Sequence, residues 1–145
     1  MADPPVLRQA SCVAIGCRAL IIEGPSGSGK SSLALALIDR GAVLVGDDGV
    51  MVERRGRSVW ASPPPNITGK LEIRSVGLVE LPYISAPLAL ILRLERDPPR
   101  FVERADTSEI CGTAIPCLAF YPDSPVAAIR AEYALERHGL AAAAS

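Results

Sequence analysis

Eight residues, Gly24-Pro25-Ser26-Gly27-Ser28-Gly29-Lys30-Ser31, constrain this chain more than any other feature. They match G-x-x-x-x-G-K-[ST] in full. The context fits too: the apolar run Arg18–Glu23 precedes them, and SSLALALIDR (Ser31–Arg40) follows with Gly41 just past its end. That order predicts strand, glycine loop and helix, with Gly41 as the stop. The glycines permit backbone angles that turn successive N–H groups inward toward phosphate oxygens. The helix beginning near Lys30 adds its positive dipole end. The Lys30 ammonium is placed to reach the β- and γ-phosphates of a nucleotide, and the Ser31 hydroxyl to ligate Mg²⁺. The structural alternative is a glycine-rich turn with no ligand. The complete motif in its context favours phosphate binding.

Composition narrows the rest. A chain of 145 residues fits one domain. Apolar residues at 49% and charged residues at 21% exclude a disordered chain. A net charge of −1 removes the bulk electrostatic drive toward nucleic acid or an anionic membrane. Aromatic residues are only 4%, too few for a base-stacking platform. The apolar run Ile84–Leu92 is far short of the ~20 residues that span a bilayer. With no export signal visible at the N-terminus, a cytoplasmic protein is expected. The basic residues comprise 13 Arg and two Lys, Lys30 and Lys70, so one of the two lysines stands where the loop motif demands it. Cys12, Cys17, Cys111 and Cys117 contain no C-x-x-C pair, and the single histidine is His138. Buried or half-buried free thiols are expected rather than a zinc site.

Asp47 and Asp48 follow the apolar run Ala42–Val45, one short helix and one short strand after Lys30. Such a unit makes its two strands parallel, which puts Asp47 at the same carboxyl edge as the glycine loop. A carboxylate there can hold Mg²⁺ through water or accept a proton from an attacking hydroxyl. Adjacent strand residues point opposite ways, so only one of the pair is expected to face the phosphate. Asp-Asp-Gly is also good turn chemistry, so a solvated turn stays open at this point.

Elsewhere the pattern predicts a hairpin over Ser11–Ile15 and Arg18–Glu23, and a second over Val50–Arg54 and Ser58–Ser62. Short strands are expected at Leu71–Arg74 and Val76–Leu81, a buried strand at Ala86–Leu94, and a helix over Ser124–Arg137. Residues 1–10 read as a loose lead-in, 11–138 as the domain, and 139–145 as an apolar tail.

The glycine loop, then LVGDD (Leu44–Asp48), then LEIRSVGLVEL (Leu71–Leu81), in that order, resemble the catalytic domain of the bacterial HPr kinase/phosphorylase family. The loop alone is generic; the loop with a close Asp-Asp and Glu72-Ile73-Arg74 is much more specific. The resemblance implies a single-domain α/β fold, a mixed sheet with flanking helices and a nucleotide core like that of phosphoenolpyruvate carboxykinase. It implies an ATP- and Mg²⁺-dependent kinase that phosphorylates a serine of the phosphocarrier protein HPr, in a homo-oligomer that is typically a hexamer. A short form without the N-terminal domain, like those of α-proteobacteria, is expected from the resemblance. By position, Gly24 to Ser31 would bind ATP, with Lys30 offsetting charge on the transferring group. Asp47 would be the general base; Ser31, Glu72 and Asp48 would serve the metal; Arg104 would be a catalytic arginine. Without the resemblance, Glu72 and Arg74 read as an ordinary solvent face and Arg104 as a surface arginine.

The chain departs from the family pattern in places. Gln9 stands where the family usually has a histidine, and an amide cannot titrate. Ser75 and Val76 replace a glycine and a leucine of the signature. The later basic segment associated with the reverse phosphorolysis is missing, since Pro116 to Pro125 holds no basic residue. These departures keep two other readings in view: a nucleotide-sensing binding protein derived from the kinase, and a small-molecule kinase.

Overall fold

The computed structural model describes residues 4–142. Eleven strands and two helices follow in the order β1 (Val6–Arg8), β2 (Ser11–Ile15), β3 (Arg18–Glu23), α1 (Lys30–Asp39), β4 (Val43–Gly46), β5 (Val50–Arg55), β6 (Ser58–Ser62), β7 (Lys70–Ile73), β8 (Gly77–Glu80), β9 (Ala86–Leu94), β10 (Asp106–Ile110), β11 (Thr113–Phe120) and α2 (Ala127–His138). The main sheet runs β1-β5-β6-β9-β3-β2-β4, and β11, with β10 beside it, adds to β9 as a branch.

The nine-residue strand β9 makes the branch possible. Its start pairs antiparallel with β6 at Ala86 and Pro87. Its end pairs parallel with β11, Ile91 to Leu94 against Cys117 to Phe120. Its other edge runs parallel to β3. Both faces of β3 and β9 are covered, so their sequences read as continuous apolar runs. Leu20, Ile22, Leu90 and Leu92 face one way and pack with Leu33 and Leu37 of α1 and Ala131 and Leu135 of α2. Ile21 and Ile91 face the other way, against Val50, Val52 and Val59 of the β5–β6 hairpin. β6 also touches β4, at the far end of the strand order, so the sheet curls on itself.

Local chemistry explains the turns. Gly16-Cys17 joins β2 to β3 as a two-residue turn with Gly16 at φ 64°. Cys111-Gly112 joins β10 to β11 with both φ values positive, 52° and 78°, the conformation that twists with a hairpin. α1 ends where Gly41, at φ 110°, donates to the Ile38 carbonyl and Ala42 donates to that of Leu37.

Both expected hairpins, the expected helices and the expected strands within 42–94 form, with ends that match or differ by at most three residues. Two expectations change, and two features go beyond them. β4 runs parallel to β3 as expected, and β2 lies between them, antiparallel to both. The expected lead-in contains β1, which pairs with β5 from Val6↔Val52 to Arg8↔Val50. Its two outward apolar residues and the preceding prolines hide a three-residue edge strand from pattern reading. β10 and β11 fall where no element was expected, and Pro116 stands inside β11. It is tolerated since β11 gains its β9 partner only from Cys117 onward. The expected tail is pinned at its start, where the Leu140 amide donates to the Ala89 carbonyl, freed by a register shift in β9. Residues 143–145 of that tail lie outside the described residues.

The thiols differ among themselves. Cys12 and Cys117 are buried, Cys111 is half-buried, and Cys17 is exposed at its hairpin turn, not buried as expected. No disulfide joins them. Burial pushes the Cys12 and Cys117 thiols above the ordinary range and disfavours their thiolates. An alkylating reagent followed by mass spectrometry is therefore expected to modify Cys17 first. Cys12 and Cys117 should react only in denaturant.

Candidate active site

The site begins with the loop between β3 and α1. Gly27 and Gly29 adopt φ values of 80° and 106°, conformations that side-chain-bearing residues rarely take. Gly24 has no room for a side chain, since a Cβ there would meet Ser28 Oγ at 2.5 Å. The loop is closed by the Ser28 amide donating to the Pro25 carbonyl at 3.0 Å. Lys30 Nζ folds over it, donating to the carbonyls of Gly24 at 2.7 Å and Pro25 at 3.1 Å. α1 starts at Lys30 behind Gly29 with no side-chain cap and no acidic residue in its first turn. A ten-residue helix thus presents its positive end to the loop with no acidic residue of its own against it. Ser28 Oγ is buried without a partner. A glycine cradle and an uncapped helix start fit a phosphate group.

Facing the loop is the tight turn after β4. Gly46 is obligatory there, because a Cβ would lie 2.1 Å from the Gly49 carbonyl oxygen. Asp47 is only 7% exposed, and its carboxylate is fully engaged. Oδ1 accepts from Ser11 Oγ at 2.9 Å and Ser31 Oγ at 2.6 Å. Oδ2 accepts from the Glu72 amide at 3.2 Å. Asp48, one residue on, sits in the left-handed region at φ 62° and is exposed. The sharp reversal separates the two carboxylates: one inward and bonded, one outward.

The β7–β8 hairpin supplies the third wall. Leu71 is fully buried beneath it. Gly69, at φ 73° against the Tyr83 ring, accepts a bond from the Leu81 amide at 2.8 Å and anchors its base. Glu72 and Arg74 then stand over the loop. Ser75 holds φ 66° at the tip, where the chain turns back with the Val76 amide bonded to Ile73.

These walls enclose a cavity of about 630 Å³ in which Lys30, Ser31, Asp47, Asp48, Glu72 and Arg74 meet. Gln9 lines it as well, next to Arg8, which pairs with Glu23 at 2.5 Å. Of the expected loop residues, Ser28 does not line this cavity; Gly24, Pro25, Ser26, Gly27 and Gly29 do. Arg104 is not brought there. It lies exposed on the bend before β10 and outside the cavity lining. Lys70 is exposed at the start of β7 and also lies outside it. The residue that pattern reading missed is Ser11, 0% exposed and bonded to Asp47. Its signal was a lone hydroxyl in the otherwise apolar run SCVAI. Among the described residues no cluster of three or more His, Cys, Asp or Glu side chains forms a ready metal cage. One hydroxyl and one or two carboxylates suit Mg²⁺, which keeps several waters and shares phosphate oxygens.

Fold and site together define a mixed α/β domain in which a strand–glycine loop–helix unit faces an acidic turn across one sheet edge. Residues 6–85, more than half of the chain, match the family model described as the HPr Serine kinase C-terminal domain. The chain belongs to that family. It is 34% identical over 111 residues to the HPr kinase/phosphorylase of Limosilactobacillus reuteri, covering 67% of this chain and 35% of that protein. It is 31% identical over 144 residues to that of Chloroherpeton thalassium, covering 86% of this chain and 42% of that protein. The chain therefore spans well under half the length of these relatives. The solved structure of the HPr(Ser) kinase/phosphatase from Coxiella burnetii shares the fold, with a TM-score of 0.80 over 90% of this chain and 94% of that chain at 23% identity.

Gly46→Ala is expected to destabilise the domain by about 2 kcal/mol or more, since backbone rather than a flexible side chain blocks the new methyl. Denaturant unfolding measures it; an unchanged midpoint would show that the turn relaxes freely.

Proposed function

We propose that this domain is an Mg-ATP-dependent protein serine kinase whose acceptor is an HPr-type phosphocarrier protein. The observation that carries this reading is the meeting of Lys30, Ser31, Asp47, Asp48 and Glu72 in one cavity, in a chain of the HPr serine kinase family. Gly24 to Gly29 and the start of α1 would cradle the phosphates, and Lys30 would offset their charge. Ser31, with Asp48 or Glu72, would hold Mg²⁺, which supplies further charge neutralisation on the transferring group. Positioning and electrostatics would account for most of the rate gain.

The two aspartates divide the work differently from the sequence expectation. Asp47 accepts three hydrogen bonds and is buried, so its part is to hold Ser31 and the hairpin in register. Asp48 is exposed in the same cavity, which makes it the better proton acceptor for an incoming serine hydroxyl. Arg104 keeps a role only if the acceptor or a neighbouring copy of this chain draws its bend inward. A homo-oligomer, a cytoplasmic setting and the reverse phosphorolysis belong to this proposal as well. Among the described residues no helix is long and apolar enough to cross a membrane. The placement of Gln9 in the wall supports a second reading, a nucleotide sensor with weakened turnover, because an amide binds phosphate without exchanging a proton.

Transfer of label from γ-labelled ATP to purified HPr, with and without inorganic phosphate, separates the readings. Label on HPr supports the kinase; tight ATP binding without transfer supports the sensor. Asp48→Asn is expected to lower transfer by about 10²–10⁴-fold, the scale of losing a general base, with ATP binding retained. Asp47→Asn is expected to weaken Mg-ATP binding itself. The reverse pattern would return the base role to Asp47.

A further inference from the structure

Among the described residues Ser11 and Asp47 are the only buried polar side chains, and they bond to each other. The neighbours of Ser11 in β2, Ala10 before it and Cys12 after it, are core residues at 0% exposure. A hydroxyl placed among them carries a desolvation cost that an alanine would avoid. A register shift aims it. Val13 lies opposite Leu44, but Cys12 lies opposite Gly46, so β4 carries one extra residue, Val45, at this point. In regular pairing Ser11 would face Gly46; the bulge brings Asp47 to it instead. On its other side Ser11 is held opposite Ile22 of β3.

Ser11 Oγ at 2.9 Å and Ser31 Oγ at 2.6 Å donate to the same oxygen, Asp47 Oδ1. Two donors fill the acceptor sites of one carboxylate oxygen. A hydroxyl has a single proton, and that of Ser31 is committed to Asp47. Ser31 therefore offers the cavity it lines only the lone pairs of its oxygen, which is what a hard cation takes.

We infer that Ser11 is a positioning residue for the divalent cation, acting through Asp47 on Ser31. The inference rests on the Mg-ATP reading above and adds to it a residue that touches neither cation nor nucleotide. With donors from β2 and α1 on Oδ1 and the Glu72 amide on Oδ2, the carboxylate cannot rotate, and it keeps the Ser31 hydroxyl turned as a ligand. Without the Ser11 hydroxyl, Oδ1 regains a free acceptor site in a buried place. The carboxylate then turns to satisfy it and takes the Ser31 proton along. Groups that orient a metal ligand from behind are worth about 10–100-fold in metal affinity.

Mn²⁺ takes the same oxygen ligands as Mg²⁺ and is read by electron paramagnetic resonance. The test measures its binding to the whole chain saturated with the non-hydrolysable β,γ-imido analogue of ATP. Ser11→Ala and Ser11→Cys, the second close in size but a weak donor, are expected to weaken Mn²⁺ binding by at least about tenfold. Affinity for the analogue alone, titrated by calorimetry in EDTA, should stay within about twofold of wild type. Ser11→Thr keeps the hydroxyl and is expected to return Mn²⁺ affinity to within about threefold of wild type. Wild-type Mn²⁺ affinity in Ser11→Ala and Ser11→Cys would make Ser11 no more than a satisfied core hydroxyl and overturn the inference. An equal loss of metal-free analogue binding would overturn it too, as collapse of the cavity, and so would a Ser11→Thr chain with an unchanged unfolding midpoint and no rescue. A wild-type chain that binds no analogue at all would instead overturn the Mg-ATP reading beneath it.

Discussion

A carboxylate taken out of water must be compensated by hydrogen bonds, or it forces its surroundings apart. Asp47 meets that demand with groups from three separate elements: a hydroxyl of β2, a hydroxyl of α1 and an amide of β7. Each contact fixes something the cavity needs. Ser31 ties the first turn of the helix, and Glu72 ties the hairpin that carries Arg74 over the loop. Ser11 closes the remaining approach from the core side. The burial of one charge thus sets the relative positions of the glycine loop, the acidic turn and the hairpin wall.

The glycines act in the same direction. Gly46 lets the turn fold against Gly49, and Gly24 lets Ser28 press against the loop's origin. Neither position tolerates a methyl without displacement of a neighbour. The backbone path around the cavity is therefore prescribed by missing side chains as much as by those present.

Much of this was legible in the sequence, and the reasons are local. Glycine loops, two-residue turns and doubly buried strands leave patterns of a few adjacent residues, and Lys30, Ser31 and Asp47 were found that way, whereas Glu72 came from the family resemblance. What escaped depends on long-range pairing. Nothing within Asp106–Phe120 announces that β11 will lie beside β9, and Pro116 argues against it until the pairing limits are known. The insertion of β2 between β3 and β4 comes from a choice of neighbour, not from the residues of the crossover. Arg104 drew attention only through the family resemblance, and the bend that carries it lies outside the cavity lining. Ser11 looked like a strand residue because its role exists only once β4 is beside it.

The branch at β9 has a consequence for how the chain reaches this state. β3 and β9 hold the centre of both core faces, yet everything from Gly24 to Ser85 loops out between them. Closing that loop loses entropy before any of the burial that rewards it, which places the domain among slow-forming, non-local topologies. The glycine loop, the acidic turn and the hairpin all lie within the looped-out stretch. A ligand that needs loop, turn and hairpin together has no grip on states in which the three have not yet assembled. Its binding energy goes entirely to the finished fold, slowing escape from it without hastening arrival.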